Sequence, residues 1–237
     1  LYYKIIPWDG ILVYMKSKVI RGPLIYDEQK PYKKREIEKA HPISQNQLED
    51  AKLFTSKYEY ARTLNKGISY LEVGVAWGHS AKMFIDTTKA QSADLLDLYD
   101  NATGILAPGG VAPEDSSIDH EEFIKNKFNY HPNVNTIKGD AKKVFFTLSK
   151  NYDFIFFDME TERMLVRNLL LHASKLVNIG GIIGLSSYVN YDSIRYFRQV
   201  GVYAAVNEFL NFHNNWSVDA MVLNDLGFHD IYIKRNL

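Results

Sequence analysis

The 237-residue chain contains no cysteine. That absence excludes a disulfide framework, a thiolate nucleophile and a cysteine-bound zinc or iron–sulfur centre. It suits a reducing compartment, so a cytoplasmic location is expected. Long apolar runs are also missing: none approaches the ~20 residues that a membrane-spanning helix needs. The opening segment Leu1-Tyr2-Tyr3-Lys4-Ile5-Ile6 is interrupted by Lys4 and followed by Pro7 and Asp9, which is not the pattern of a secretory leader. It starts on Leu1 rather than Met, as a trimmed or partial chain would. Neither sign of charge is in excess, with 28 Lys+Arg against 28 Asp+Glu. The balance gives no electrostatic case for nucleic acid or an anionic membrane as the main partner, though it leaves room for a local basic patch. Internal repeats and low-complexity tracts are absent.

What is present is an ordinary globular composition, 46% hydrophobic and 24% charged, with a high aromatic content of 14% that includes 16 tyrosines. The length suits one α/β domain with an appendage. Residues 1–44 read as that appendage and as a lid element, largely irregular. Ile11–Tyr14 and Lys18–Ile20 read as short strands, and Arg21-Gly22-Pro23 as a turn. The basic cluster Pro31–Glu36 reads as solvated surface. Ser44 to Leu64 reads as one helix, with Ser44 as its cap and Gln47 at the capping-box position.

From Gly67 strands and helices alternate. Strands are expected at 68–73, 93–99, 134–138, 154–157, 182–185 and 230–234. Helices are expected at 79–88, 119–128, 141–148, 162–177 and 202–212. Asn178-Ile179-Gly180-Gly181 reads as a helix stop before a strand. This alternation implies βαβ units and a Rossmann-like, doubly wound, mostly parallel seven-stranded sheet with helices on both faces, filling residues 45–237.

The strongest local signal is Leu71-Glu72-Val73-Gly74-Val75-Ala76-Trp77-Gly78-His79-Ser80, after a strand and before a helix. Gly74 and Gly78 allow a tight turn and close approach of a ligand. Glu72 places a carboxylate at the carboxyl end of the strand, where open α/β sheets bind ligands. A carboxylate there suits a cationic ligand group and repels a pyrophosphate. The glycine spacing also departs from the dinucleotide G-x-G-x-x-G pattern. An acid at the end of the second strand suits ribose hydroxyls. Asp97 and Asp100 compete for that role, and Asp100, at the strand exit beside Asn101, is preferred. Asp140 and Ala141 close the third strand, where the carboxylate can accept from an adenine amino group and the amide can donate to the ring. Asp140 fits a helix N-cap equally well. The buried strand Tyr152–Phe157 ends in Asp158, which suits a substrate, metal or cofactor contact or a helix cap.

In this order and spacing the segments resemble class I S-adenosylmethionine (SAM) dependent methyltransferases, from about Gly67 to the C-terminus. Among them the chain looks most like the macrocin O-methyltransferase group. Asp100-Asn101-Ala102-Thr103-Gly104 resembles that group's acid–x–aromatic–x–Gly segment, and Gly201–Phe209 its late helix. The resemblance implies SAM as cofactor. Glu72, Gly74 and Gly78 would lie at its methionine end, Asp100 at the ribose and Asp140 with Ala141 at the adenine, with Ser80, Asn101 and Asp158 also in the cofactor site. It also implies association into homo-oligomers.

The same group commonly binds Mg²⁺ through the acid after the fourth strand and an acidic pair after the fifth. Asp158 and Glu160 can supply the first. At the second place stand Ser186-Ser187-Tyr188, and serine hydroxyls are poor ligands for a hard divalent cation. A Mg²⁺ requirement is therefore not expected, with Asp192 the nearby acid that could compensate. Asp158 is the first candidate for base or substrate-orienting group and Tyr188 the second. His79, His120, His131 and His213 are read as surface or structural residues. The expected activity is O-methyl transfer to a sugar, phenol or other small natural product. The 101–117 loop and the appendage would select that acceptor. Two rivals are a non-catalytic SAM-fold binding protein and, with less support, a NAD-dependent Rossmann oxidoreductase.

Overall fold

The computed structural model describes residues 3–8, 11–16, 42–100, 119–159, 162–188, 192–193, 198–199, 201–223 and 229–237. The chain divides into two compact units, residues 1–36 and 37–237. In the first, β1 (Tyr3–Trp8) and β2 (Ile11–Lys16) pair as an antiparallel hairpin. The expected strand at 18–20 lies outside the described residues. The hairpin's first strand was not expected, because Pro7 and the interrupted apolar pattern hide it.

The second unit is built on an eight-stranded sheet in the order β3-β11-β12-β8-β7-β4-β5-β6. Its parallel centre comprises β4 (Ser69–Val73), β5 (Ser92–Asp97), β6 (Val134–Lys138), β7 (Tyr152–Phe157) and β8 (Val177–Leu185). β12 (Asp230–Arg235) runs antiparallel to β8 and to β11 (Trp216–Val222). The short β3 (Lys52–Phe54) adds a parallel edge beside β11. Strand β4 is buried along its whole length and β7 nearly so, as the central strands of a two-face-covered parallel sheet must be. Two further strands, β9 (Asp192–Ser193) and β10 (Arg198–Gln199), form a separate antiparallel pair.

Helices cover both faces. Beneath one lie α5 (Ala141–Val144), α6 (Arg163–Leu176) and α7 (Val202–Phe212), packed on Leu71, Val73, Ile155, Phe157 and Ile183. On the other lie α2 (Lys57–Thr63), α3 (His79–Thr88) and α4 (His120–Lys127), packed on Tyr70, Phe154, Phe156 and Tyr232. The two residue sets alternate along β4 and β7, which is the period-2 pattern of a sheet buried on both sides.

The single helix expected over 44–64 is instead α1 (Gln45–Leu48), β3 and α2. Gln47 does not close a capping box on its own helix. Its amide donates to the carbonyls of Leu210 at 2.6 Å and Trp216 at 3.2 Å, tying α1 to the far end of α7. The chain then turns, and a second cap restarts the helix: Ser56 Oγ accepts from Glu59 N while Thr55 Oγ1 donates to the Glu59 carboxylate. β11 was also not expected. Its alternation is broken by a bulge between Val218 and Ala220, which moves Trp216 and Val218 to one face and Ala220 and Val222 to the other. Gly180 and Gly181 do not stop a helix. α6 passes at Val177 straight into β8, and both glycines lie inside that strand.

Candidate active site

The carboxyl ends of β4, β5, β7 and β8 lie along one edge of the sheet, and the backbone is under tension there. Among the described residues, four that are not glycine have positive φ: Lys89 at the C-cap of α3, and Ala76, Tyr99 and Ser187, which follow β4, β5 and β8 respectively. Backbone strain of this kind concentrates at functional loops.

The β4–α3 loop is the centre of this edge. Gly74 has φ +88°, and a Cβ on it would stand 2.4 Å from the Asp158 carbonyl oxygen. No other residue type fits without moving the end of β7. Gly78 caps α3 in the left-handed region. Between them the loop is held by Asp97, whose carboxylate accepts from Val75 N at 2.6 Å, Ala76 N at 2.9 Å and Tyr99 N at 3.2 Å. Asp97 is thus consumed by backbone amides, while Asp100 lies exposed at the strand exit. His120, fully buried, braces the same loop from α4. Its Nε2 donates to the Ala76 carbonyl at 2.6 Å, its Nδ1 lies 3.3 Å from the Asp100 carbonyl, and its ring packs on Trp77 at 4.6 Å. That structural role agrees with the reading of His120. Ser80 is half-buried in the first turn of α3. Asn101 lies outside the described residues.

Glu72 is 1% exposed and points to the α2/α3 face, where the Tyr70 hydroxyl donates to it. Burial pushes its carboxyl up to about 8; the Tyr70 hydrogen bond opposes this, Asp158 adds to it, and Lys57 opposes it. Asp140 caps α5, accepting from Lys142 N at 2.9 Å with one of its two oxygens. Ala141 is buried beside it. Tyr188 turns inward: its hydroxyl donates to Asn207 Oδ1 at 2.7 Å and its backbone amide to the His229 carbonyl. Burial raises its phenol well above the ordinary tyrosine value, so it keeps its own proton.

Beside this lies a group the sequence did not bring together. Asp158, at the end of β7, is 39% exposed; Asp230, at the start of β12, is 2% exposed. Lys57, the first residue of α2, crosses the Phe156 ring at 4.8 Å and reaches both, at 3.7 and 3.6 Å. Its desolvation lowers its pKa, but Asp158, Asp230 and Glu72 together outweigh that and hold it above the ordinary lysine value. Asp230 is raised by burial to about 7, against the pull of Lys57. Gly184 of β8 makes the cluster compact. A Cβ there would stand 2.7 Å from Tyr232 and 2.8 Å from Phe156, so its absence lets those two rings stack across the intervening strand, 6.2 Å apart and 11° from parallel. The available sequence signal was parity: Glu72, Asp158 and Asp230 share the face of Tyr70, Phe156 and Tyr232. Nothing local pointed to Lys57.

Among the described residues, no three His, Asp or Glu side chains are grouped so as to hold a metal ion. Glu160 and the Asp192 side chain lie outside the described residues. Also among the described residues, no helix is long and apolar enough to cross a membrane.

Comparison with known proteins identifies the class. Residues 71–188 match the family described as "Methyltransferase domain". No protein of curated function matches the sequence. Among solved structures, the chain resembles the O-methyltransferase from Bacillus cereus in complex with S-adenosylhomocysteine (SAH), at TM-score 0.52 and 16% identity over 84% of each chain. It resembles the O-methyltransferase TomG of Streptomyces achromogenes with SAM, at TM-score 0.55 and 13% identity, covering 76% of this chain and 78% of that one. It resembles a proposed rRNA methylase from Clostridium thermocellum at TM-score 0.53 and 14% identity, covering 76% and 93%. At such identities the likeness defines the fold, and it spans enzymes of different acceptors. The chain carries a SAM-dependent methyltransferase domain of Rossmann-like architecture.

Proposed function

We propose that the protein transfers the methyl group of SAM to a hydroxyl oxygen of a small molecule, with the β4–α3 loop binding the cofactor and Asp158 facing the acceptor. The observation that carries this reading is the contact between the two halves: the Asp158 main chain lies directly against Gly74, and its carboxylate is open at the same edge. The cofactor fits the chemistry of the residues present, since Glu72 offers a buried carboxylate at the end of β4 and Asp100 an exposed one past the end of β5. When bound, SAM supplies an electrophilic methyl carbon for in-line attack and departs as SAH.

The residues divide the work. Glu72 pairs with the ammonium of the methionine moiety, and Gly74, Gly78 and Ser80 shape the loop around it. Asp100, exposed past the end of β5, accepts from the ribose hydroxyls, with Asn101 beside it. Asp140 and Ala141 meet the adenine. Asp158 accepts the hydroxyl proton as the acceptor oxygen gains carbon, and holds that oxygen at attack distance. Tyr188, with its hydroxyl engaged by Asn207, supports the rim and takes no proton. The even charge balance favours a neutral small acceptor over nucleic acid.

Calorimetric titration with SAH, with NAD as control, tests the reading. Saturable SAH binding that weakens in Glu72→Ala and Asp100→Ala supports it. Binding of NAD instead, or of neither ligand, removes it.

A further inference from the structure

The three carboxylates on the α2/α3 face pose an electrostatic problem. Glu72, Asp158 and Asp230 come from three strands and converge at one edge, where such acids ionise together only if a cation stands among them and otherwise keep a proton. A divalent ion is one solution; this chain carries another. We propose that the Lys57 ammonium is the resident cation of the acceptor site, standing between Asp158 and Asp230 in place of a divalent metal, so that methyl transfer proceeds without one.

Four observations converge. Lys57 reaches the site from α2, outside the matched family segment of residues 71–188, and its ammonium lies 3.7 Å from Asp158 and 3.6 Å from Asp230. These separations make ion pairs but exceed ordinary hydrogen-bond lengths, so the three N–H donors are not exhausted by them. The lysine is 23% exposed, between an open acid at 39% and a closed one at 2%, so it sits at the boundary where an acceptor oxygen would arrive. Finally, Ser186, where the resemblance leads one to expect a carboxylate ligand, follows β8, and β8 runs between the strands that bear Asp158 and Asp230. The acid is supplied one strand over by Asp230, and the charge it would have shared with a metal is shared with Lys57. A hydroxyl acceptor can then give its proton toward Asp158 while its oxygen takes a hydrogen bond from Lys57. Lys57 acts as a positioning residue for Asp158 as well as a contact for the acceptor.

The inference rests on the methyl-transfer reading, but its test separates the two. The full chain is titrated with Mn²⁺, read by the electron paramagnetic resonance of the free ion, and in parallel with SAH in the presence of Mg²⁺ or of EDTA. The parent protein should show no saturable Mn²⁺ binding in the low millimolar range and the same SAH affinity in both buffers. Lys57→Ser should bind Mn²⁺ at least about tenfold more tightly than the parent, and the added Asp158→Asn change should abolish the gain. Lys57→Gln, closer in length, serves if Lys57→Ser does not fold. Saturable Mn²⁺ binding by the parent that Asp158→Asn removes would overturn the proposal. So would a folded Lys57 variant with no gain in Mn²⁺ affinity. Failure of SAH to bind the parent would instead strike the methyl-transfer reading, while the Mn²⁺ results would still report on Lys57.

Discussion

The carboxyl edge of the sheet has two halves built by different means, one proposed to hold the cofactor and the other the acceptor. The cofactor half, at the ends of β4 and β5, is made from contiguous backbone: a glycine loop whose amides are gathered by Asp97 and whose Ala76 carbonyl is held by His120. The acceptor half, at the ends of β7, β8 and β12, is made from side chains that are far apart in sequence, Lys57, Asp158 and Asp230, over a floor of Phe156 and Tyr232. The first half is rigid because hydrogen bonds to main chain define it. The second is held by charge and by stacked rings, and it depends on every partner being present. A motif can describe the first kind of construction. Only a fold can describe the second.

Gly74 is where the halves touch, so changing it should break both. Gly74→Ala places a Cβ against the Asp158 carbonyl at 2.4 Å and forces φ +88° on a residue that resists it. The expected loss is about 3 kcal/mol of stability, from overpacking and left-handed strain together. Thermal unfolding should fall by roughly 6–12 °C for a domain of this size, with SAH binding lost. A variant that melts like the parent would mean the loop is looser than the contact implies.

Glu72 belongs to the cofactor half but is poised by its surroundings. Held at about 8 in the folded protein, against 4.5 as the ordinary value, it keeps a proton at neutral pH. The folded state therefore binds more protons than the unfolded one between those values, and this group's contribution to stability falls as pH rises from about 4.5 to 8. Asp230, raised from 3.8 to about 7, adds a contribution of the same sign over its own window. A cationic ligand must displace the Glu72 proton, so SAH affinity should climb as pH rises toward 8 and level off above it, by up to about tenfold per unit. Glu72→Gln should lose about 10- to 100-fold in SAH affinity, flatten that pH dependence, and make the unliganded protein more stable at pH 8, by on the order of 2 kcal/mol. Calorimetry at several pH values, with melting curves of the unliganded protein, reads all three.

Gly184→Ala sharpens the contrast, because it strikes the acceptor half alone. Its Cβ would press on both Phe156 and Tyr232 and part the rings beneath Lys57. Overpacking of this kind costs about 2 kcal/mol. The melting temperature should drop by roughly 4–8 °C, while SAH affinity stays within about twofold of the parent. An equal loss of SAH affinity would show that the halves are not independent.

The same contrast explains what could be read in advance. Strands β4 and β6 and helix α3 were legible because their apolar patterns and caps are local, and the turn from Glu72 to Ser80 between β4 and α3 was legible because its glycines are contiguous with both. The engagement of Asp97 by the Val75 and Ala76 amides needed the fold, since those amides become its partners only when β4 and β5 lie side by side. Ser44 and Gln47 marked the helix start correctly, and the Ser44 hydroxyl donates to Gln47 Oε1 at 2.8 Å, but nothing local showed that the Gln47 amide would bind two distant carbonyls or that the helix would stop at Leu48. β11 was hidden by Asp219, a charged residue at the bulge, which accepts from the buried Tyr60 hydroxyl at 3.0 Å. Lys57 was hidden because nothing near it in sequence reveals which acids it will meet.

The smallest effect separates two roles that coincide in one residue of the cofactor half. Asp140 caps α5 through the Lys142 amide, and the proposed adenine contact would use the same carboxylate. Asp140→Ala should cost about 1 kcal/mol through loss of the cap, a shift of roughly 2–4 °C. Asp140→Ser keeps an N-cap acceptor and removes the charge, so the melting temperature should stay near that of the parent. If the carboxylate also receives the adenine amino group, Asp140→Ser should still lose several-fold in SAH affinity, since a neutral oxygen makes the weaker hydrogen bond. If Asp140→Ser binds SAH as the parent does, Asp140 is a cap and nothing more, and adenine recognition passes to the Ala141 amide, which either substitution leaves in place.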